Sequence, residues 1–170
     1  MSTLAPPKIV VADASVLINF ANLDRFDLLC KLPGYDFVVP NEVKAEITRP
    51  AQAARFAAAL GARALRIEPS TDLAEIALAV AIRRDLDAGE AACLAMAEHR
   101  GWRIACDERG RYLNLALQRV GASRMLDTAG LIVRAIHSNL LTIPKADALL
   151  VQLAQHKFVM PFRSFQELLK

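Results

Sequence analysis

Three observations predict an α/β fold with a central, mostly parallel sheet for this 170-residue chain. Short β-branched runs without polar alternation, such as Lys8-Ile9-Val10-Val11-Ala12, read as strands buried on both faces. The stretches between them carry helical punctuation, with Asp or Pro at the starts and Gly just past the ends. The two kinds of segment alternate along the chain, which calls for right-handed crossovers that place helices on both sheet faces.

The first strand covers 8–13 and ends in Asp13. Residues 15–31 read as one or two helices, stopped by Pro33-Gly34. Phe37-Val38-Val39 is a second short strand, after which Pro40-Asn41 opens a helix carrying Val43, Glu46 and Ile47. An alanine-rich helix over 51–60 closes at Gly61, and Leu65-Arg66-Ile67 forms a third strand. Asp72 to about Arg84 is expected to be an amphipathic helix. Another runs from Asp87 to about Arg100, with Gly101 as its left-handed terminator. A strand over 102–106, a helix over 108–120 and a short strand near Arg124-Met125-Leu126 follow. About 127–170 form a helical C-terminal part, one of whose segments opens at Thr142-Ile143-Pro144. There is no repeat, low-complexity tract or linker, so residues 1–170 are expected to form a single domain.

Composition narrows the function classes. The apolar fraction is 54%, yet charges interrupt every apolar run well short of a membrane span, and the N-terminus lacks a secretory pattern. The three cysteines are far apart and in apolar contexts, so we expect buried, reduced thiols in a cytoplasmic protein. No cysteine or histidine has zinc-site spacing. No glycine-rich turn follows the first strand, which argues against a dinucleotide-binding enzyme. The net charge of +3 alone says little about partners. However, Arg100, Arg103, Arg109, Arg111, Arg119 and Arg124 crowd around one acid, Asp107. They form either a solvated face with helix-terminal cations or a phosphate-contacting rim; Arg109 and Arg111 are the candidate nucleic-acid contacts.

The acids Asp13, Glu46, Glu90 and Asp107 carry the functional argument. Asp13 and Asp107 end strands, and in an open parallel sheet all strand carboxyl ends share the edge where sites form. Each acid also has an ordinary structural role open to it. Asp13 suits a helix N-cap. Glu46 shares a helix face with Glu42 and could simply face water. In Asp87-Ala88-Gly89-Glu90, Glu90 fits the third position of a capping box. Gly89, a poor helix former, suggests that another element approaches closely there. Together the four acids are more telling. Two unit charges about 4 Å apart repel by about 4 kcal/mol at an effective dielectric of about 20. Converging carboxylates therefore need protons or a cation, and hard oxygen donors select Mg²⁺ or Mn²⁺.

The series Val10-Val11-Ala12-Asp13-Ala14-Ser15, Val39-Pro40 to Val43 to Glu46-Ile47, Leu86-Asp87-Ala88-Gly89-Glu90 and Arg103-Ile104-Ala105-Cys106-Asp107-Glu108 resembles the PIN domain. The resemblance runs from about Lys8 to the C-terminus. From Leu131 onward the chain resembles one bacterial and archaeal PIN subfamily of poorly defined function. It implies a Rossmann-like α/β/α sandwich and a metal-dependent endoribonuclease of the kind found as toxins beside a cognate antitoxin. On this resemblance Asp13, Glu46, Glu90 and Asp107 are the catalytic cluster, with Asp13, Glu90 and Asp107 as the main metal ligands. Cleavage of single-stranded RNA would leave a 5′-phosphate. Ser15 matches a position that often holds a small hydroxyl. Ala105 departs from the pattern, because the family often has Thr or Ser two residues before the last acid. An acid or asparagine soon after the last acid is also common, and Glu108 is the near candidate here. Two other functions are weighed: a catalytically inert PIN-like binding module, and a phosphatase with Asp13 as nucleophile. The phosphatase reading lacks the second acid two residues on, where Ser15 stands. Apolar residues over 148–153 and 158–162 suggest a homodimer or antitoxin contact, or ordinary core packing.

Overall fold

In the computed structural model, which describes residues 5–169, the apolar runs become strands β1 (Lys8–Ala12), β2 (Tyr35–Val39), β3 (Arg66–Ile67), β4 (Arg103–Ala105) and β5 (Met125–Leu126). They form one all-parallel sheet in the order β3-β2-β1-β4-β5. Val10, Val11 and Ala12 are fully buried, as expected for a central strand covered by helices on both faces. The strand order reverses beside β1, so the carboxyl ends of β1 and β4 flank a topological switch point, the usual place for a site in such sheets.

The first long helical stretch breaks into α1 (Ala14–Leu23) and α2 (Phe26–Lys31), with Asp24 in the left-handed conformation between them. Next come α3 (Asn41–Glu46) and α4 (Pro50–Gly61), then α5 (Leu73–Ile82) and α6 (Ala88–Arg100). Gly101 terminates α6 at φ 68°. The helix expected from residue 108 starts later, as α7 (Arg111–Arg119), because Gly110 at φ 68° keeps the chain after β4 non-helical. That delay leaves Cys106–Gly110 as a loop over the sheet edge. Two further helices, α8 (Thr128–His137) and α9 (Ile143–Gln155), lead to a final 3₁₀ turn at Phe165–Leu168.

Helix α5 is not the amphipathic helix its sequence suggests. It buries Glu75 completely and exposes Leu73 (82%) and Val80 (67%). The carboxylate is matched by Arg100, whose Nε and Nη2 donate to Glu75 Oε2 and Oε1 at 2.6 and 2.9 Å. Among the cysteines, Cys93 and Cys106 are buried as expected, but Cys30 is exposed near the end of α2.

Candidate active site

The end of β1 and the end of β4 are stitched together by one serine. Asp13 is the N-cap of α1 and is 3% exposed. Its Oδ2 accepts from the Ser15 amide at 3.3 Å and from Ser15 Oγ at 2.7 Å. Ser15 Oγ in turn accepts from the Asp107 amide at 3.0 Å. The capping role of Asp13 is compatible with the expected site role: the cap fixes the direction in which a buried carboxylate points.

Asp107 is held by residues that sequence reasoning did not single out. The Thr128 amide donates to Oδ1 at 2.8 Å. The Thr128 hydroxyl and Asn19 Nδ2 both donate to Oδ2, the latter at 2.8 Å. Both donors are buried, Thr128 at the first turn of α8 and Asn19 inside α1. The hydroxyl that Ala105 does not offer is thus supplied from α8. Ala105 itself is fully buried and pairs with Ala12 across the sheet.

Glu46 and Glu90 reach the same region from α3 and α6. Glu90 is the third residue of α6 and completes a capping box, its amide donating to Asp87 Oδ1 at 2.8 Å and its Oε2 accepting from the Asp87 amide at 3.2 Å. Gly89 is buried where α3 crosses. A Cβ there would lie 2.1 Å from Glu46 Oε1 and 3.2 Å from Val43 Cγ2. The close approach expected from this glycine is present, and its neighbour is a site carboxylate. A Gly89→Ala variant should stay folded, because the obstructing atom ends a flexible side chain and alanine gains about 1 kcal/mol of helix propensity. It should nonetheless displace Glu46. We expect a melting temperature within a few degrees of wild type and at least a tenfold loss of any metal-dependent activity, read by thermal melts beside activity assays.

Burial raises the proton affinity of all four acids, and Asp13, Glu46 and Glu90 lie close enough to share charge repulsion centred on Asp87 and Asp13. Burial pushes the pKa of Asp13 and Asp107 above the usual carboxylate range, against the hydrogen bonds from Ser15 and from Thr128 and Asn19 respectively. Glu46 is exposed along much of its length, but desolvation of its carboxyl and the charges of Asp87 and Asp13 push it up to about 7. Glu90 and Glu108 are raised by burial and by repulsion that includes Asp13 and Asp87. Asp87, whose sequence context points only to a helix cap, and Glu108, the candidate acid after Asp107, therefore lie beside these carboxylates.

Among the described residues, no three Asp, Glu, His or Cys side chains are arranged to close around a metal ion. The donor chemistry still fits a hard divalent cation. Every donor is a carboxylate oxygen, and a cation would offset the burial and repulsion that raise their proton affinities. Mg²⁺ uses only one or two carboxylates and keeps several waters, so a closed protein cage is not required.

A pH dependence follows. In the window between the ordinary glutamate value of 4.5 and about 7, the folded protein holds more protons at Glu46 than the unfolded chain. Stability then falls as pH rises through that window. After screening at this half-wet site the effect is about 1 kcal/mol, or about 2–4 °C in melting temperature. Melts in EDTA should show the metal-free protein more stable at pH 5.5 than at pH 8, and saturating Mn²⁺ should flatten the difference. A metal-free stability that rises with pH over this range would contradict the mutual repulsion.

Most of the arginine run is structural. Arg100 binds Glu75 and Glu68, Arg103 binds the Ser123 carbonyl, Arg111 binds Asp85 and Arg119 binds Glu98. Arg124 donates to the carbonyls of Val120, Ala97 and Trp102, tying the ends of α6 and α7. Arg109 is exposed beside Asp107 and makes no hydrogen bond or ion pair among the described residues. Arg109 is thus the member of the run without a protein partner among the described residues. Arg111 lies with Asp85 in a separate surface depression.

No helix among the described residues is long and apolar enough to cross a membrane. No curated protein matches the sequence. A family model described as a PIN domain matches residues 9–170, a span that includes every acid of the cluster together with Asn19 and Thr128. With an all-parallel sheet flanked by helices and acids at its carboxyl edge, the chain belongs to the PIN-domain family.

Proposed function

We propose that this protein is a metal-dependent endoribonuclease that hydrolyses phosphodiester bonds of RNA, and that it is the toxin of a toxin–antitoxin pair. The PIN fold is a nuclease fold, which supports the reaction class. The observation that carries the proposal further is the group of acids at the switch point of the sheet, where burial and then the neighbouring negative charges raise the proton affinity of Asp13, Glu46, Glu90 and Glu108. Asp13, Glu90 and Asp107 would hold Mg²⁺ or Mn²⁺, with Glu46 completing the set. Such an ion supplies charge neutralisation at a phosphodiester and makes water a better nucleophile at neutral pH.

The chain's own residues do the positioning. Ser15 fixes the carboxylate of Asp13 and the backbone of Asp107 at once. Thr128 and Asn19 fix the Asp107 carboxylate. Arg109 stands where it can neutralise a substrate phosphate. An inert binding module would not need two buried polar side chains to orient one acid, and this favours the enzyme. The test is incubation with a mixed single-stranded RNA pool with Mn²⁺ or Mg²⁺ and with EDTA. Metal-dependent cleavage is expected; cleavage that is the same in EDTA would overturn the proposal.

We also propose a homodimer or an antitoxin contact. Within 148–153 and 158–162, Leu149 and Leu153 are buried in the core while Val151 and Val159 are exposed, and Leu73, Ile76 and Val80 add an exposed stripe on α5. Light scattering on Val80→Asp beside wild type tests whether this stripe makes a dimer. A mass unchanged by the substitution removes the stripe from that role.

A further inference from the structure

We infer that the cavity beside Asp107 is a subsite for one nucleobase of a single-stranded RNA, next to the bond that is cut; this rests on the ribonuclease reading. The cavity has a volume of about 720 Å³, within the range of about 300–1,000 Å³ typical of small-ligand sites. It lies between the loop after β4, the start of α8 and the segment 157–162 that follows α9. One wall is made by Asp107 and Glu108, so whatever occupies it is a neighbour of the acid cluster.

The remaining walls suit a flat, mostly neutral ring. Phe158, Phe162, Met125 and Leu113 line them. The segment that contributes the phenylalanines is firmly anchored. Phe162 packs edge-on against the fully buried Phe165, with ring centroids 5.1 Å apart. Asp147 on α9 then accepts from Ser164 Oγ and from the Phe165 amide, each at 2.8 Å. The aromatic wall therefore exists before a ligand arrives, which reduces the ordering cost of binding.

Charge selects the kind of ring. Arg109 and Lys157 line the cavity without an ion pair among the described residues. Arg134 also lines it but is engaged by the Tyr35 hydroxyl and the Gly130 carbonyl. Asp127 is occupied as the cap of α8. Two free cations around an apolar slot match a nucleotide strand, with its base stacked on phenylalanine and its phosphates on Arg and Lys. Aromatic stacking accepts any unpaired base, whereas a base held in a duplex could not enter.

The experiment uses a fluorescent five-nucleotide single-stranded RNA and the full chain carrying Asp13→Asn, so that binding is read without cleavage. A single abasic position is walked along the RNA, and each strand is titrated against proteins with and without Phe158→Ala. One abasic position should weaken binding about tenfold, Phe158→Ala should weaken it about as much, and the two losses should not add. This cycle is insensitive to a general loss of folding, which would lower the affinity of every strand alike. Arg109→Ala with Lys157→Ala should lower the salt dependence of binding, with a slope smaller by about 1.4 for two single-strand phosphates. Affinity indifferent to abasic positions, or additive losses, would overturn the subsite and leave the cavity to a protein segment. The two readings also separate. Wild-type cleavage unaffected by Phe158→Ala overturns the subsite alone. Base-sensitive binding with no cleavage by the wild type under any metal overturns the nuclease and keeps the nucleotide site.

Discussion

In Asp13→Asn, metal-dependent RNA cleavage should fall by about a thousandfold or more while the metal-free protein melts at the same temperature or slightly higher. The two halves of this result have one cause. Asparagine keeps the shape and can still accept from the Ser15 amide and hydroxyl, so the cap on α1 survives. What disappears is a charge on a residue only 3% exposed, which burial and the neighbouring Asp87 already disfavour. A stabilising ion pair would behave in the opposite way, since its removal costs stability. A clear drop in melting temperature would therefore show that the Asp13 charge has a permanent partner in the protein, and would count against the metal cluster. Alanine would be a poor probe, because it also removes the cap at about 1 kcal/mol. Wild type should also gain melting temperature on addition of Mn²⁺ more than Asp13→Asn does, because at a given concentration a ligand stabilises more the more tightly it binds the folded state.

Some parts of this site can be read from the sequence for identifiable reasons. Asp13 and Asp107 each end an apolar run, a local contrast that needs no tertiary information. Gly89 stands out because it sits in the first turn of an alanine-rich helix, and the carboxylate of Glu46 occupies the space a side chain would take. Asn19 and Thr128 give no such signal. Asn19 reaches Asp107 across 88 residues of sequence, and in isolation it is one polar residue in an apolar helix. The arginine run is ambiguous for the same reason. The partners Asp85, Glu98 and Glu75 lie elsewhere in the chain, so nothing local shows that Arg111, Arg119 and Arg100 are already ion-paired. Periodicity fails on α5 because a buried ion pair reverses which residues face inward.

That ion pair should dominate stability. Arg100→Ala is expected to cost about 3–5 kcal/mol and to lower the melting temperature by about 10 °C. The Glu75 carboxylate is completely buried and accepts from Ser70 as well as from both arms of Arg100. Burial raises its pKa, but the Arg100 and Ser70 hydrogen bonds outweigh that and hold it below the ordinary value of 4.5. Without Arg100 the same carboxyl is a buried charge with no cation, and the guanidinium's stacking over Trp102, 4.7 Å from the ring centroid, is lost as well. A double variant, Glu75→Leu with Arg100→Met, removes both charges while keeping volume and should recover most of the stability. If the double variant is as unstable as the single one, packing on Trp102 rather than the stranded charge is responsible. The sign with pH is opposite to that of the acid cluster. Glu75 has its pKa depressed by folding, so its contribution is present above 4.5 and is lost as pH falls through the folded value. The acid cluster is relieved over the higher window, between 4.5 and about 7. Metal-free stability should therefore peak near pH 5, falling on the acid side as Glu75 is protonated and on the alkaline side as the cluster ionises. In Arg100→Ala the acid-side fall should disappear, because protonating the stranded Glu75 then removes a penalty instead of a contact.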